Sequence, residues 1–394
     1  MKLKVFIACL SLILIPKVAF SSQSQIMYDK YWSPYSGAGF MISINNAYKV
    51  LDDYYLPSSA GKTEFVWQSA RLVKLLAQSM LGSFLSVAQH EVFGHGYRGR
   101  EFGVGLGYEI KILSGTTYLA NKYKTLSLNK QAALTAGGLE ANTILGQQIL
   151  NNWLLDGNID NRDVVFYGLN QISSINYVYF TNKNLKSNSS GNDISCYIKE
   201  INAWHQDDNA LTVSKMRKNI LWDLFDPALY NALYTAVVSY VINAQPSEKL
   251  YMLEIGNYKY LPTGRVLMAP YGVEYQLQNY VKTPGNELIQ INVRYGKTGI
   301  VTSYGLDLNI KPVCRYKGFS VGNKISIWRQ PQLNVTLAKD AQYKYGFAEA
   351  VNIEYRFDEK LALYGEVGYK VAGYVPGTPL ESGVVFGFGV NLSA

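Results

Sequence analysis

From residue 250 onward apolar side chains recur at every second position, and this period constrains the fold of the 394-residue chain more than any other feature. In "ELIQINVRYG" the residues Ile291, Val293 and Tyr295 alternate with Gln290, Asn292 and Arg294. "AVNIEYRF" sets Val351, Ile353, Tyr355 and Phe357 against Asn352, Glu354 and Arg356, and "VVFGFGVNL" sets Phe386, Phe388 and Val390 against Gly387, Gly389 and Asn391. Successive side chains of a strand point to opposite faces, so each segment has one apolar and one polar face. Roughly eight such segments are separated by Gly, Pro or Asn turns, each near the length that crosses an outer membrane when tilted.

Alternation does not say which face is outside. A soluble sandwich turns its apolar faces inward, and a membrane barrel turns them outward. Two features favour the barrel. The polar face mixes charges with glycines, as a narrow wet lumen requires, and tyrosine recurs near strand ends. Tyr (32) and Gly (34) are abundant and only 17% of residues are charged, which suits the same reading. Residues 250–394 thus resemble the C-terminal barrel of Gram-negative outer-membrane proteins. The chain departs from that pattern in finishing Leu392-Ser393-Ala394, where such barrels finish on an aromatic residue.

Before residue 246 the pattern is mostly helical. Thr63-Glu64 opens a helix that runs to about Phe93–His95. Its uncharged stretch 75–89 is short for a membrane span and carries Gln78, Ser79, Ser83, Ser86 and Gln89, so a buried core helix is expected. Further helices are expected at 127–155, 161–181, 193–204 and 211–224. Another begins with Asp226 as N-cap and Pro227 at the first helical position and continues to Asn243. Residues 102–123 read as a β-hairpin turning near Ser114-Gly115, and 182–193 as a polar loop.

The N-terminus reads as a secretory signal peptide, 1–21, with Lys2 and Lys4 ahead of an apolar run and small residues around Ser21. The expected organisation is a signal peptide, an aromatic-rich segment at 22–61, a helical domain at 62–245 and a β-barrel domain at 246–394, hence an α+β fold. Without Lys2, Lys4 and Lys17 the formal charge falls from +8 to +5 and no basic block stands out, so nucleic acid is not an expected partner. Cys196 and Cys314 allow one disulfide but no disulfide framework.

Chemistry concentrates in "HEVFGHG", 90–96. The chain has three histidines, and two of them, His90 and His95, stand five apart with Glu91 after the first. Zinc takes neutral imidazoles and a carboxylate, leaving one position open in a catalytic site. In a regular helix residues i and i+5 are about 140° apart, too far for one ion. A π-turn of about 4.4 residues brings them back to within about 50°. Gly94 is a residue that tolerates that distortion.

The stretch resembles the His-Glu-x-x-Gly-His-Gly of the dipeptidyl-peptidase III family of zinc peptidases. That resemblance implies that His90 and His95 bind zinc through a distorted helix and that Glu91 is the general base. It also implies a third ligand from a Glu on a later helix, for which Glu140 in "GGLEANTI" is the candidate. Leu139 and Ile144 stand where the family has acids, so what is shared is a site design over about seven residues and one Glu. Gly137 and Gly138 cost about 1 kcal/mol each within a helix relative to Ala, a cost that close approach of the two helices would offset. His205, Tyr97 and Arg98 are alternative candidates for steadying an oxyanion. The expectation is a zinc-dependent peptidase in the outer membrane acting on peptide or protein substrates. The alternative is a non-catalytic channel or assembly protein.

Overall fold

The computed structural model describes residues 24–55, 61–188, 191–358 and 361–392; the expected signal peptide lies outside them. The two-residue period becomes a ten-stranded antiparallel sheet. Its strands are β1 (Ser24–Asp29), β6 (Leu253–Ile255), β7 (Tyr258–Ala269), β8 (Gly272–Lys282), β9 (Leu288–Thr298), β10 (Val301–Tyr316), β11 (Phe319–Pro331), β12 (Tyr343–Arg356), β13 (Leu361–Lys370) and β14 (Gly383–Leu392). Neighbours in sequence pair in order from β6 to β14, and β1 pairs with β14. Among the described residues β1 and β6 remain the two edges, so the ladder is open and no closed barrel forms.

The faces are inverted relative to a soluble sandwich. On β9, Val293 is 48% exposed while its neighbour Arg294 is 1% exposed. Phe386 and Phe388 on β14, Ile353 on β12 and Ile327 on β11 also point outward. Inside, Arg294 pairs with Glu274 at 3.1 Å and Asp307 at 3.0 Å, and Lys324 with Glu366 at 2.6 Å. The sheet encloses charge and exposes hydrocarbon.

The helices fill and flank this sheet. They are α1 (Pro34–Tyr55), α2 (Phe65–Ala88), α3 (Gly96–Glu101), α4 (Leu128–Asp156), α5 (Asn161–Phe180), α6 (Asp193–His205), α7 (Val213–Asn219) and α8 (Pro227–Tyr234). Between α2 and α3 a π-helix spans Gln89–His95, and a second follows α8 at Thr235–Ile242. Helix α4 is buried along most of its length and packs against α1, α5, α6 and the first π-helix. It stops at Gly157, whose φ of +78° is the left-handed cap that glycine adopts without strain. Asp226 caps α8 as expected, its Oδ1 accepting from the Ala228 N–H. The hairpin is β2 (Leu106–Ile110) and β3 (Gly115–Leu119); a short pair, β4 (Asn158–Asp160) and β5 (Ser247–Lys249), completes the strands. Cys196 on α6 and Cys314 on β10 are not joined in a disulfide.

Helix α2 corrects the expectation of a core helix. Its buried side chains include Arg71, Gln78 and Ser86, while Phe65, Val66, Val73, Leu76 and Met80 are exposed. Arg71 is held inside by backbone carbonyls, donating to Val241 O at 2.8 and 3.1 Å and to Lys62 O at 2.7 Å. Each outward side chain forgoes about 1.5–3 kcal/mol by facing water. The absence of charge that suggested burial marks an outward apolar face instead.

Candidate metal centre

The five-residue spacing is resolved by the π-helix. Widening by one residue turns His90 and His95 to the same side, with Nε2 atoms 3.1 Å apart. The widened turn is held from three directions. Arg100 donates to Val92 O at 2.8 Å and Gln89 to Pro34 O and Ala141 O. Gly94 meets α4 so closely that a Cβ there would lie 2.5 Å from Gly137 O and Gly138 Cα. A Cβ on Gly138 would overlap the His90 ring. The two glycines do serve close helix approach, and the side chain they admit is His90.

The third donor is Asp193, the first residue of α6. Its Oδ2 lies 3.0 Å from His90 Nε2 and 3.4 Å from His95 Nε2. His90, His95 and Asp193 are the one set of at least three closely grouped metal-ligating side chains among the described residues. Asn192, not Asp193, caps α6, its side chain accepting from the Ser195 N–H at 2.8 Å. Asp193 is therefore left to the histidines.

The protonation pattern fits a cation. His95 Nδ1 lies 2.7 Å from Leu134 O, and a carbonyl only accepts, so Nδ1 carries a proton and Nε2 is the atom turned to Asp193 and His90, where a second proton or a cation would be held. The ring plane of His90 is fixed by Tyr177, stacked at 5.3 Å. Three donor atoms 3.0–3.4 Å apart match the separation of about 3.3 Å between tetrahedral ligands about 2.0 Å from a zinc ion. Burial alone would lower the His95 imidazole, but the neighbouring Asp193 carboxylate, aided by Glu91 and Leu134 O, pushes it up to about 9. Burial opposes ionisation of Asp193, and the two imidazoles nonetheless hold its carboxyl well below the usual range. The cluster favours positive charge at its centre.

Glu91 stands outside this donor set. Its Oε2 accepts from the Thr117 hydroxyl at 2.6 Å, and its carboxylate lies against Gly115, where a Cβ would come within 2.8 Å of Oε1. Hairpin β2–β3 thus folds onto Glu91.

Glu140 is not with the histidines. Its carboxylate accepts from Arg98 Nη2 at 2.8 and 3.0 Å, from Arg98 Nε at 3.2 Å and from the Gly377 N–H at 2.7 Å. A bidentate guanidinium and a backbone donor use both of its oxygens, so the expected third ligand is replaced by Asp193. Arg98, also bound to Glu101 at 2.8 Å, is committed to that network and not directed to a substrate. His205 lies some twelve residues, or about 18 Å of helix, beyond Asp193. It packs on Trp204 and against Gly299, which removes it from the cluster. Tyr97 is buried, its hydroxyl without a hydrogen-bond partner among the described residues, and it lines the large cavity within the sheet.

Comparison with protein-family models, with curated proteins and with solved structures finds no match. The function is therefore argued from the site alone.

Proposed function

We propose that this chain is a zinc-dependent metallopeptidase embedded in the outer membrane through the apolar outer face of its sheet. The convergence of His90 Nε2, His95 Nε2 and Asp193 Oδ2 to 3.0–3.4 Å carries the reading. Two imidazoles and one carboxylate leave a tetrahedral zinc one open position, the pattern of catalytic rather than structural sites. Structural sites are closed by four protein ligands, often cysteines, and Cys196 and Cys314 are not among the clustered donors.

The chain's own groups then have definite work. His90, His95 and Asp193 would hold the ion, which when bound would supply Lewis acidity. Glu91, oriented by the Thr117 hydroxyl, takes the proton of an attacking water as its oxygen bonds to the substrate carbonyl carbon. It delivers that proton to the amine nitrogen as the C–N bond breaks. Hairpin β2–β3, next to Glu91, offers a strand edge for an extended peptide. The test is hydrolysis of a broad peptide library by purified protein, with activity lost to a chelator and restored by zinc.

A second reading rests on a different observation. The sheet and helices surround a cavity of about 1250 Å³ lined by polar side chains such as Gln290, Asn292, Lys311 and Asn352. A wet lumen of this kind suits a non-catalytic channel, with any metal structural. Ion conductance in planar bilayers together with no peptide cleavage would favour that reading.

A further inference from the structure

We infer that helix α2 is itself part of the lipid-facing wall, so that the metal centre lies at the bilayer surface and takes peptide chains anchored in the membrane. This rests on the membrane reading of the sheet and deepens it. A sheet with two unpaired edges cannot by itself present hydrocarbon all the way round. From β1 the packing runs through α1, then α2 and the π-helix after α8, to α8, which packs on β7, and these helices carry the same inverted pattern. Val73 and Met80 on α2 are 65% and 60% exposed, and Leu233 and Val237, on α8 and the π-helix after it, are also exposed. Arg71, Gln78 and Ser86 turn inward.

The dimensions fit a bilayer. From Phe65 to Phe84 the outward apolar face of α2 rises about 29 Å, against about 30 Å for a hydrocarbon core. His90 follows Phe84 by six residues, about 9 Å further along, beyond the end of that face. Helix α5 runs parallel to α2, as Gly82 packs on Phe166, Ser86 bonds Asn170 at 2.9 Å and His90 stacks on Tyr177. The large exposed side chains of α5 gather at its final turn, in Tyr177, Tyr179 and Phe180, the last 86% exposed. Aromatic residues at that level are what a membrane–water interface selects. Tyr177 of this group stacks on His90, and Asp193 is the most accessible of the three donors.

Acyl chains are a better occupant than a second copy of the chain. Hydrocarbon is exposed on α2, on α8 and across β9 to β14, and a dimer partner covers one face only.

The experiment places single cysteines at Val73, Met80, Val293 and Asp208 in full-length protein carrying Cys9→Ser, Cys196→Ser and Cys314→Ser. Each is labelled with bimane and reconstituted in phosphatidylcholine vesicles with brominated acyl chains. Bromolipid is expected to quench positions 73, 80 and 293 several-fold more than position 208, which iodide in the buffer should quench. Quenching at 293 but not at 73 or 80 overturns this inference and leaves the membrane reading intact. Quenching at none of the three overturns both. Crosslinking of position 73 to itself by a short bis-maleimide, without bromolipid quenching, identifies a second copy as the occupant. For the substrate class, one fluorogenic peptide is compared with and without a palmitoyl anchor on the same vesicles. The anchored form is expected to be cleaved at least tenfold faster; equal rates overturn the substrate class, and cleavage of neither counts against it and the peptidase reading together.

Discussion

His90 Nε2 and His95 Nε2 face one another across a π-turn at 3.1 Å, with the Asp193 carboxylate closing the triangle. Two imidazole nitrogens and a carboxylate oxygen this close together are held by a proton or a cation shared among them. That relationship links the unusual spacing in the sequence to the proposed chemistry.

Glu91→Gln keeps the shape of the side chain and an acceptor for the Thr117 hydroxyl, but removes the base. The expected result is a normal fold, unchanged zinc content and peptide hydrolysis reduced by about 10²–10⁴-fold. Steady-state kinetics on the zinc-loaded variant measures this. Wild-type rates in the variant would exclude Glu91 as the base.

Gly138→Ala places a methyl group where the His90 ring lies. The ring must move, and zinc affinity is expected to fall by about 10–100-fold with little change in secondary structure. Competition against a fluorescent chelator reads the affinity. Gly157→Ala, at a position with nothing within 4 Å of a Cβ, serves as a control that costs stability through its left-handed φ and leaves affinity unchanged.

Glu200, outside the donor set, gives a pH prediction for the metal-free protein. Burial pushes its carboxyl up to about 7, against hydrogen bonds from Tyr123 and Thr135 that favour ionisation. The folded state then binds more protons than the unfolded state between the ordinary glutamate value and about 7, so stability falls as pH rises through that window. Glu200→Gln cannot ionise and should escape the loss. Melting temperatures of the two proteins should be similar at pH 4.5 and separate in favour of the variant by pH 8. A gap that does not widen with pH would contradict the assignment.

The legible part of this molecule was whatever local geometry dictates. A step of five from His90 to His95 cannot bring the two rings together on a regular helix, so a shared site required the π-turn that is found at Gln89–His95. Asp226-Pro227 fixed the start of α8 in the same way. Asp193 was illegible because it reaches the site from 103 residues away, after a polar loop, with no spacing that ties it to His90. Glu140 misled because its Gly-Gly neighbours signal close approach without saying which side chain benefits. Its charge answers Arg98 instead. Strand β1 pairs with β14 but lies more than 200 residues before the other nine strands in sequence, with no alternating segment beside it to mark it. The uncharged run in α2 read as a core helix because it is short and carries Gln78, Ser79, Ser83, Ser86 and Gln89; the exposure of its apolar side, with Gln78 and Ser86 turned inward, is not visible in composition.

The claim that His90, His95 and Asp193 form a zinc site is tested most directly by the metal content of purified wild type, Asp193→Asn and Glu140→Gln. Asn192 still caps α6 in the first variant, and Arg98 keeps an acceptor in the second, so both should fold. The account predicts about one zinc per chain in wild type and in Glu140→Gln, and less than about a tenth of that in Asp193→Asn. Full zinc in Asp193→Asn with loss in Glu140→Gln would contradict it, as would wild-type protein that binds no zinc at all.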